Sequence, residues 1–210
     1  MAGKNEFYMR RLHSLLGVIP VGLFVVQHLI INHFATRGEE AFNNASNFMA
    51  SLPFVIFLEF AVIYIPILFH GILGLYIAFT ANNNTARLGY FRNWMFKLQR
   101  ITGVLLLAFI AWHVWETRIQ KAFFGAEVNF DMMANILSNP IVLILYIIGV
   151  LSATFHLSNG LWSFLVRWGI TQSPSSQRIS SWVMGGVFVV VSVIGVRAAL
   201  AFVYPELFVG

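Results

Sequence analysis

The sequence predicts an all-α integral membrane protein, a single domain over residues 1–210 built as a bundle of five transmembrane helices. Two observations carry this. Of the 210 residues, 59% are hydrophobic and only 10% are charged, against about 25% charged in soluble domains. The apolar residues gather into five runs, 12–34, 53–80, 98–118, 138–166 and 180–204, each at or above the roughly 20 residues that cross a hydrocarbon core. Inside lipid the backbone must satisfy its own polar groups, as helices or as a closed barrel. Barrel strands would show as alternating segments of about ten residues, and these runs do not alternate.

Span I follows a lead containing Lys4, Arg10 and Arg11. Its apolar run exceeds the roughly 7–15-residue core of a signal peptide and no small-residue cleavage site follows, so it reads as a retained span. The first loop, 35–52, carries Arg37, Glu39 and Glu40. Span II contains Glu59, and Pro66 one turn before His70, where a kink is expected because proline offers no N–H to the preceding turn. The second loop, 81–97, holds Arg87, Arg92 and Lys97, and Arg100 lies just inside span III. Glu116 and Arg118 end that span, and the third loop, 119–137, carries Lys121, Glu127 and Asp131. Asn139–Pro140 opens span IV with proline at the first helical position. The polar turn TQSPSSQR leads into span V, which ends at Pro205.

The N-terminus, the second loop and the fourth connection share nine lysines and arginines, whereas the first and third loops share three. By the positive-inside rule the N-terminus is cytoplasmic and the C-terminus external. The same scatter over loops explains the net charge of +5 without a nucleic-acid-binding face. Cysteine is absent, which excludes disulfides and a thiolate-held iron–sulfur cluster in this chain. No glycine-rich nucleotide fingerprint follows a strand-like segment.

The chemistry lies in the histidines. His28, His70, His113 and His156 are spaced 42, 43 and 43 residues apart, one in each of the first four spans. Spans I and III run outward and carry His28 and His113 late, in the outer half. Spans II and IV run inward and carry His70 and His156 past their midpoints, in the inner half. Two histidines at each of two depths suit two stacked six-coordinate haems, with His70 and His156 on the inner iron and His28 and His113 on the outer. Both inner histidines sit in His-x-x-x-Gly-Leu, ending in Gly74 and Gly160. Positions i and i+4 share a helix face, so each glycine leaves a notch one turn from its histidine where a macrocycle could lie. A lone intramembrane histidine more often bonds a neighbouring helix, and zinc would ask for several ligands at one level. The regular spacing and alternating depth favour haem. His13 and His33, near the membrane surfaces, read as interfacial hydrogen-bonding residues. LHSLLGV at 12–18 also parallels LQRITGV at 98–104, 86 residues on, as duplicated halves would, although His28 and His113 are one residue out of step.

RRLHSLLGVIP at 10–20, FHGILGLY at 69–76, LQRITGVLL at 98–106, HLSNGLW at 156–162 and the four histidines together resemble the five-helix, dihaem cytochrome b anchor subunits of bacterial succinate:quinone oxidoreductases, over essentially the whole chain. The resemblance implies two haem b groups and a place in the bacterial cytoplasmic membrane. It implies two partners, a flavoprotein subunit that oxidises succinate and an iron–sulfur subunit that passes electrons to this anchor, and it implies menaquinone reduction toward the outer face. It further implies that polar residues at the inner surface hold the inner haem's propionates; His13, Ser14, Trp94 and Arg167 match by position. Dihaem cytochromes b of fumarate reductase, hydrogenase or formate dehydrogenase remain open, as does a haem-free proton relay.

Glu59 is the one carboxylate expected within the spans rather than at their ends. About six residues into span II, it lies roughly 9 Å deep and level with the outer histidines. Intramembrane acids usually face a cavity or a proton path, so Glu59 is the candidate for protonating the reduced quinone.

Overall fold

The computed structural model describes residues 2–81 and 85–208. Among them the regular structure is helical throughout. The order is α1 (Ala2–Val18), α2 (Pro20–His33), α3 (Glu39–Ala50), α4 (Val55–Leu58), α5 (Ile65–Thr80), α6 (Phe91–Val114), α7 (Gln120–Phe124), α8 (Phe130–Leu137), α9 (Pro140–Arg167) and α10 (Pro174–Val203). Two π-helical segments, Glu59–Tyr64 and Trp115–Ile119, join α4 to α5 and α6 to α7.

Five helical stretches are long and apolar enough to cross a bilayer: Gly3–Arg37, Val55–Thr80, Phe91–Phe124, Pro140–Arg167 and Pro174–Val203. Spans I and III outrun their apolar stretches at both ends. Hydropathy marks only the part of a helix that meets hydrocarbon, and the polar ends continue through the headgroup layers. Span I is broken at Ile19, where Pro20 opens α2 at its first turn. In span II, Pro66 opens α5 directly behind a π segment. The missing proline N–H is thus absorbed by a wide turn.

Spans IV and V form the tightest pair. Each buries a third or more of its apolar window, whereas span III buries none. Their seam is small and polar: Ser152, Thr154 and Ser158 of α9 and Ser192, Gly195 and Ala199 of α10 are buried. The Thr154 and Ser192 hydroxyls bond across it at 2.7 Å. In a solvent as apolar as leucine, such close backbone approach and interhelical bonding substitute for hydrophobic drive. Spans I and II bury 11% and 6% of their apolar windows.

The sequence left the first and third loops without structure, yet both contain helices, α3 and α8. Asn129 caps α8 by accepting from the Met132 N–H. Phe130, Met133 and Leu137, at i, i+3 and i+7, form its buried face. The Asn43 side chain of α3 accepts from the Phe130 N–H at 2.8 Å. Phe42, Phe130 and Phe202 meet with ring centres 4.9 to 6.3 Å apart, closing the end of the bundle opposite the N-terminus. Phe42→Ala is expected to cost about 3–5 kcal/mol, as for a buried aromatic truncation, read as a lowered unfolding midpoint in detergent.

Candidate functional site

The structure places the four histidines as two facing couples. The His28 and His113 ring centres are 5.9 Å apart with planes at 70°; those of His70 and His156 are 6.1 Å apart at 83°. Two axial metal–nitrogen bonds of about 2 Å plus two imidazole half-widths of about 1 Å put the centres of a bis-histidine pair roughly 6 Å apart. Each couple joins different helices: α2 to α6, and α5 to α9. Among the described residues no three His, Cys, Asp or Glu side chains converge as a metal cluster. Two axial imidazoles suit an iron whose other four ligands come with its macrocycle.

Second contacts decide which ring nitrogen is free. His70 Nδ1 lies 3.0 Å from the His13 carbonyl, and His156 Nδ1 lies 3.1 Å from that of Gln99. A carbonyl only accepts, so each Nδ1 carries the proton and each Nε2 keeps its lone pair, the arrangement that metal-bound histidines use. His113 Nδ1 lies 3.4 Å from the Tyr146 hydroxyl, which donates to Glu116 at 3.0 Å. At His28 the contacted nitrogen is Nε2, 3.3 Å from the Asn32 amide, whose shorter bond, 2.8 Å, goes to the His28 carbonyl.

The 86-residue echo is structural. His13 and Gln99 occupy equivalent places, as do Gly17 and Gly103, His70 and His156, and Gly74 and Gly160. A Cβ at Gly17 would collide with the His70 ring, and one at Gly103 would come within 2.9 Å of the His156 ring. A Cβ at Gly74 would meet His13 Nε2 at 3.3 Å, and one at Gly160 would meet Gln99 Nε2 at 3.4 Å. The notches beside the inner imidazoles therefore come from Gly17 and Gly103 on neighbouring helices, while Gly74 and Gly160 give passage to His13 and Gln99. The one-residue slip of His28 against His113 has its place too. The extra residue lies between Gly17 and His28, where Ile19–Pro20 breaks the helix.

Of the residues expected at the propionates, His13 joins the His70–His156 couple. Its ring stacks on His70 at 4.0 Å and 10°, and its Nε2 is buried without a hydrogen-bond partner among the described residues. Ser14 follows it on α1. Trp94 is 45% exposed and its ring lies under Lys97. Arg167 is exposed; its carbonyl accepts from Arg11. His33 bonds the Ile194 carbonyl at 3.0 Å. Glu59 is not a lone acid: Arg118 binds its carboxylate at 2.5 Å, linking the two π segments. Gln99, Tyr146, Glu116, Gly17 and Gly103 escaped the sequence reading, although the 86-residue repeat pointed to the two glycines.

Three features fit a bound haem at His70–His156: axial spacing, tautomers that free Nε2, and the orphaned His13 Nε2. The His28–His113 couple has the spacing, with one tautomer set by Tyr146.

The family model described as "Succinate dehydrogenase/Fumarate reductase transmembrane subunit" matches residues 80–195. The chain is 61% identical over 203 residues to the succinate dehydrogenase cytochrome b558 subunit of Bacillus subtilis (strain 168), covering 97% of this chain and 100% of that protein.

Proposed function

The chain belongs to the succinate dehydrogenase/fumarate reductase transmembrane-subunit family, and from that premise we propose that it holds two b-type haems and conducts the electrons of succinate oxidation to menaquinone. It is a membrane-anchor cytochrome b of a succinate dehydrogenase, a multi-span subunit that associates with the other subunits of that complex. The observation that carries the finer reading is the pair of facing imidazole couples, 5.9 and 6.1 Å between ring centres. When bound, each haem supplies a one-electron redox centre within the bilayer.

The residues divide the work. His70 and His156 hold the inner iron, His28 and His113 the outer. The His13 and Gln99 carbonyls fix the inner imidazoles in orientation. His13, Ser14, Trp94 and Arg167 form the polar surround for the inner propionates, a role supported for His13 by its stacking on His70; Gly74 and Gly160 leave the room in which that surround packs. The basic residues at the N-terminal face, Arg10, Arg11, Arg92 and Lys97 among them, place that face in the cytoplasm, where a flavoprotein and an iron–sulfur partner would dock. The C-terminus is then external.

The test is spectroscopic and functional together. The purified complex should show two low-spin bis-histidine signals on reduction, and membranes should couple succinate oxidation to menaquinone reduction. A colourless anchor in an active complex rejects the haem assignment.

Glu59 enters as an acid of the proton path to the quinone, held in place by Arg118. Reduction takes up two protons with two electrons, and a positioned acid typically accelerates such transfers by about 10²-fold or more. Glu59→Gln keeps the shape and removes the transferable proton. It should slow menaquinone reduction at least about tenfold per assembled complex while haem content stays unchanged. Wild-type quinone turnover in Glu59→Gln rejects the role and leaves the pair with Arg118 as a brace between spans II and III.

A further inference from the structure

The face of α6 turned toward α9 carries Met95, Gln99, Thr102 and Gly103, at i, i+4, i+7 and i+8, the spacing of one helix stripe. The Gln99 side chain uses both ends of its amide. Its N–H donates to the His156 carbonyl at 3.0 Å, and its oxygen accepts from the Asn159 amide at 2.7 Å. The same Asn159 amide reaches the Met95 carbonyl at 3.3 Å. One turn of α6 is thus pinned to α9, and the pin holds the Gln99 main-chain carbonyl 3.1 Å from His156 Nδ1. Thr102 completes the contact. Its hydroxyl gives its proton to the Leu98 carbonyl at 2.8 Å and turns a lone pair to the same Nδ1 at 3.3 Å.

The opposite imidazole is held differently. The 86-residue offset puts His13, Leu16 and Leu73 in the places of Gln99, Thr102 and Asn159. Leucine neither donates nor accepts. Among the described residues His70 Nδ1 meets the His13 carbonyl alone, and no side-chain amide ties α1 to α5. The two halves of the repeat share the carbonyl, and only the half around His156 has the clamp.

We propose that Gln99, Thr102 and Asn159 are positioning residues that make His156 the stronger electron donor of the inner couple and so hold the inner haem's reduction potential down. The proposal rests on reading His70 and His156 as axial ligands. A fixed acceptor on Nδ1–H raises the basicity of the coordinating nitrogen, and a more basic ligand favours ferric over ferrous iron. Hydrogen bonding around the axial ligand is one of the levers by which a protein sets such a potential. The three side chains act through the imidazole, and the asymmetry between the halves of the repeat assigns the effect to His156 rather than His70. A tie that served only to join spans III and IV would affect assembly and leave the potential alone.

Spectroscopic redox titration of the intact complex tests this, with the His28–His113 component as the internal standard. Gln99→Met keeps the length of the side chain and removes both amide bonds, and Asn159→Leu removes the donor that anchors it. Each is expected to shift the inner haem toward its reduced form about tenfold at a given ambient potential, the lower end of what losing an outer-shell partner costs a metal site. For one electron that is a rise of about 59 mV. The outer component should stay where it is. The double variant should move little further than Gln99→Met alone, because both changes act through one carbonyl. Asn159→Ser, which withdraws the amide without adding bulk, gives the same reading where leucine at 159 prevents assembly. An unmoved inner potential in Gln99→Met and in the assembled Asn159 variant would overturn the proposal, as would equal shifts of both components. A wild-type complex without a bis-histidine inner haem refutes the underlying ligand assignment instead.

Discussion

Alanine at His70 or at His156 is expected to remove one haem from the assembled complex and leave the other, and alanine at His28 or His113 to do the converse. Each couple spans two helices, with centres 6.1 Å apart for His70–His156 and 5.9 Å for His28–His113, so under the proposed ligation either deletion would leave one imidazole to hold the iron. Removing an outer-shell partner of a metal ligand typically costs about 10–100-fold in affinity, and removing the ligand itself should exceed that. The reduced low-spin spectrum should fall to one bis-histidine component. Added free imidazole should restore part of the second, because His70→Ala leaves a ring-sized space while the opposite axial ligand stays in place. Single mutants of either couple that keep two bis-histidyl haems would sink the ligand assignment.

The couples were legible in the sequence because each of the first four spans carries one deep histidine and successive spans reverse direction. Depth along a helix can be counted from its ends, and only two pairings share a depth. Contacts across helices could not be counted that way. Glu59 was expected at the outer level, and its carboxylate meets Arg118 near the end of span III. Its partner Arg118 was already assigned to that end, but whether two residues at one level face each other depends on helix rotation. The π segments Glu59–Tyr64 and Trp115–Ile119 shift that rotation without any mark in hydropathy. The helices α3 and α8 were hidden for a different reason. They lie in the two loops outside the apolar runs, and eight residues of α8 are too few to announce a period against the long runs beside them. Only Phe130, Met133 and Leu137 at helical spacing, behind the capping Asn129, give it away. The two-fold echo was visible as LHSLLGV and LQRITGV, yet the motif that drew notice was His-x-x-x-Gly within one helix. A helix keeps residues i and i+4 at a fixed offset on its own surface. The close approach to each inner imidazole is made by a glycine of the neighbouring helix instead.

That geometry ranks four glycines by the damage a side chain would do. Gly17→Leu and Gly103→Leu are expected to abolish low-spin ligation of the inner haem, whereas Gly74→Ala and Gly160→Ala should be tolerated. At Gly17 even a methyl group would occupy the His70 ring, and at Gly103 it would press on His156 at 2.9 Å, closer than carbon atoms pack in a dense interior. The imidazole cannot retreat without breaking its Nδ1 bond to the His13 or Gln99 carbonyl, which sets the tautomer. Displacement therefore costs both the position of Nε2 and its lone pair. At Gly74 and Gly160 the atom met is the tip of a side chain, His13 Nε2 at 3.3 Å or Gln99 Nε2 at 3.4 Å, which can give by a few tenths of an ångström. Leucine at those two positions should weaken haem retention less than at Gly17 or Gly103. The measurement is the low-spin fraction of the inner haem in assembled complexes, with the His28–His113 component as the internal standard. A normal inner signal in both Gly17→Leu and Gly103→Leu would show that neither glycine seats an axial imidazole. A greater loss in Gly160→Ala than in Gly103→Ala would return the notch to the histidine's own helix.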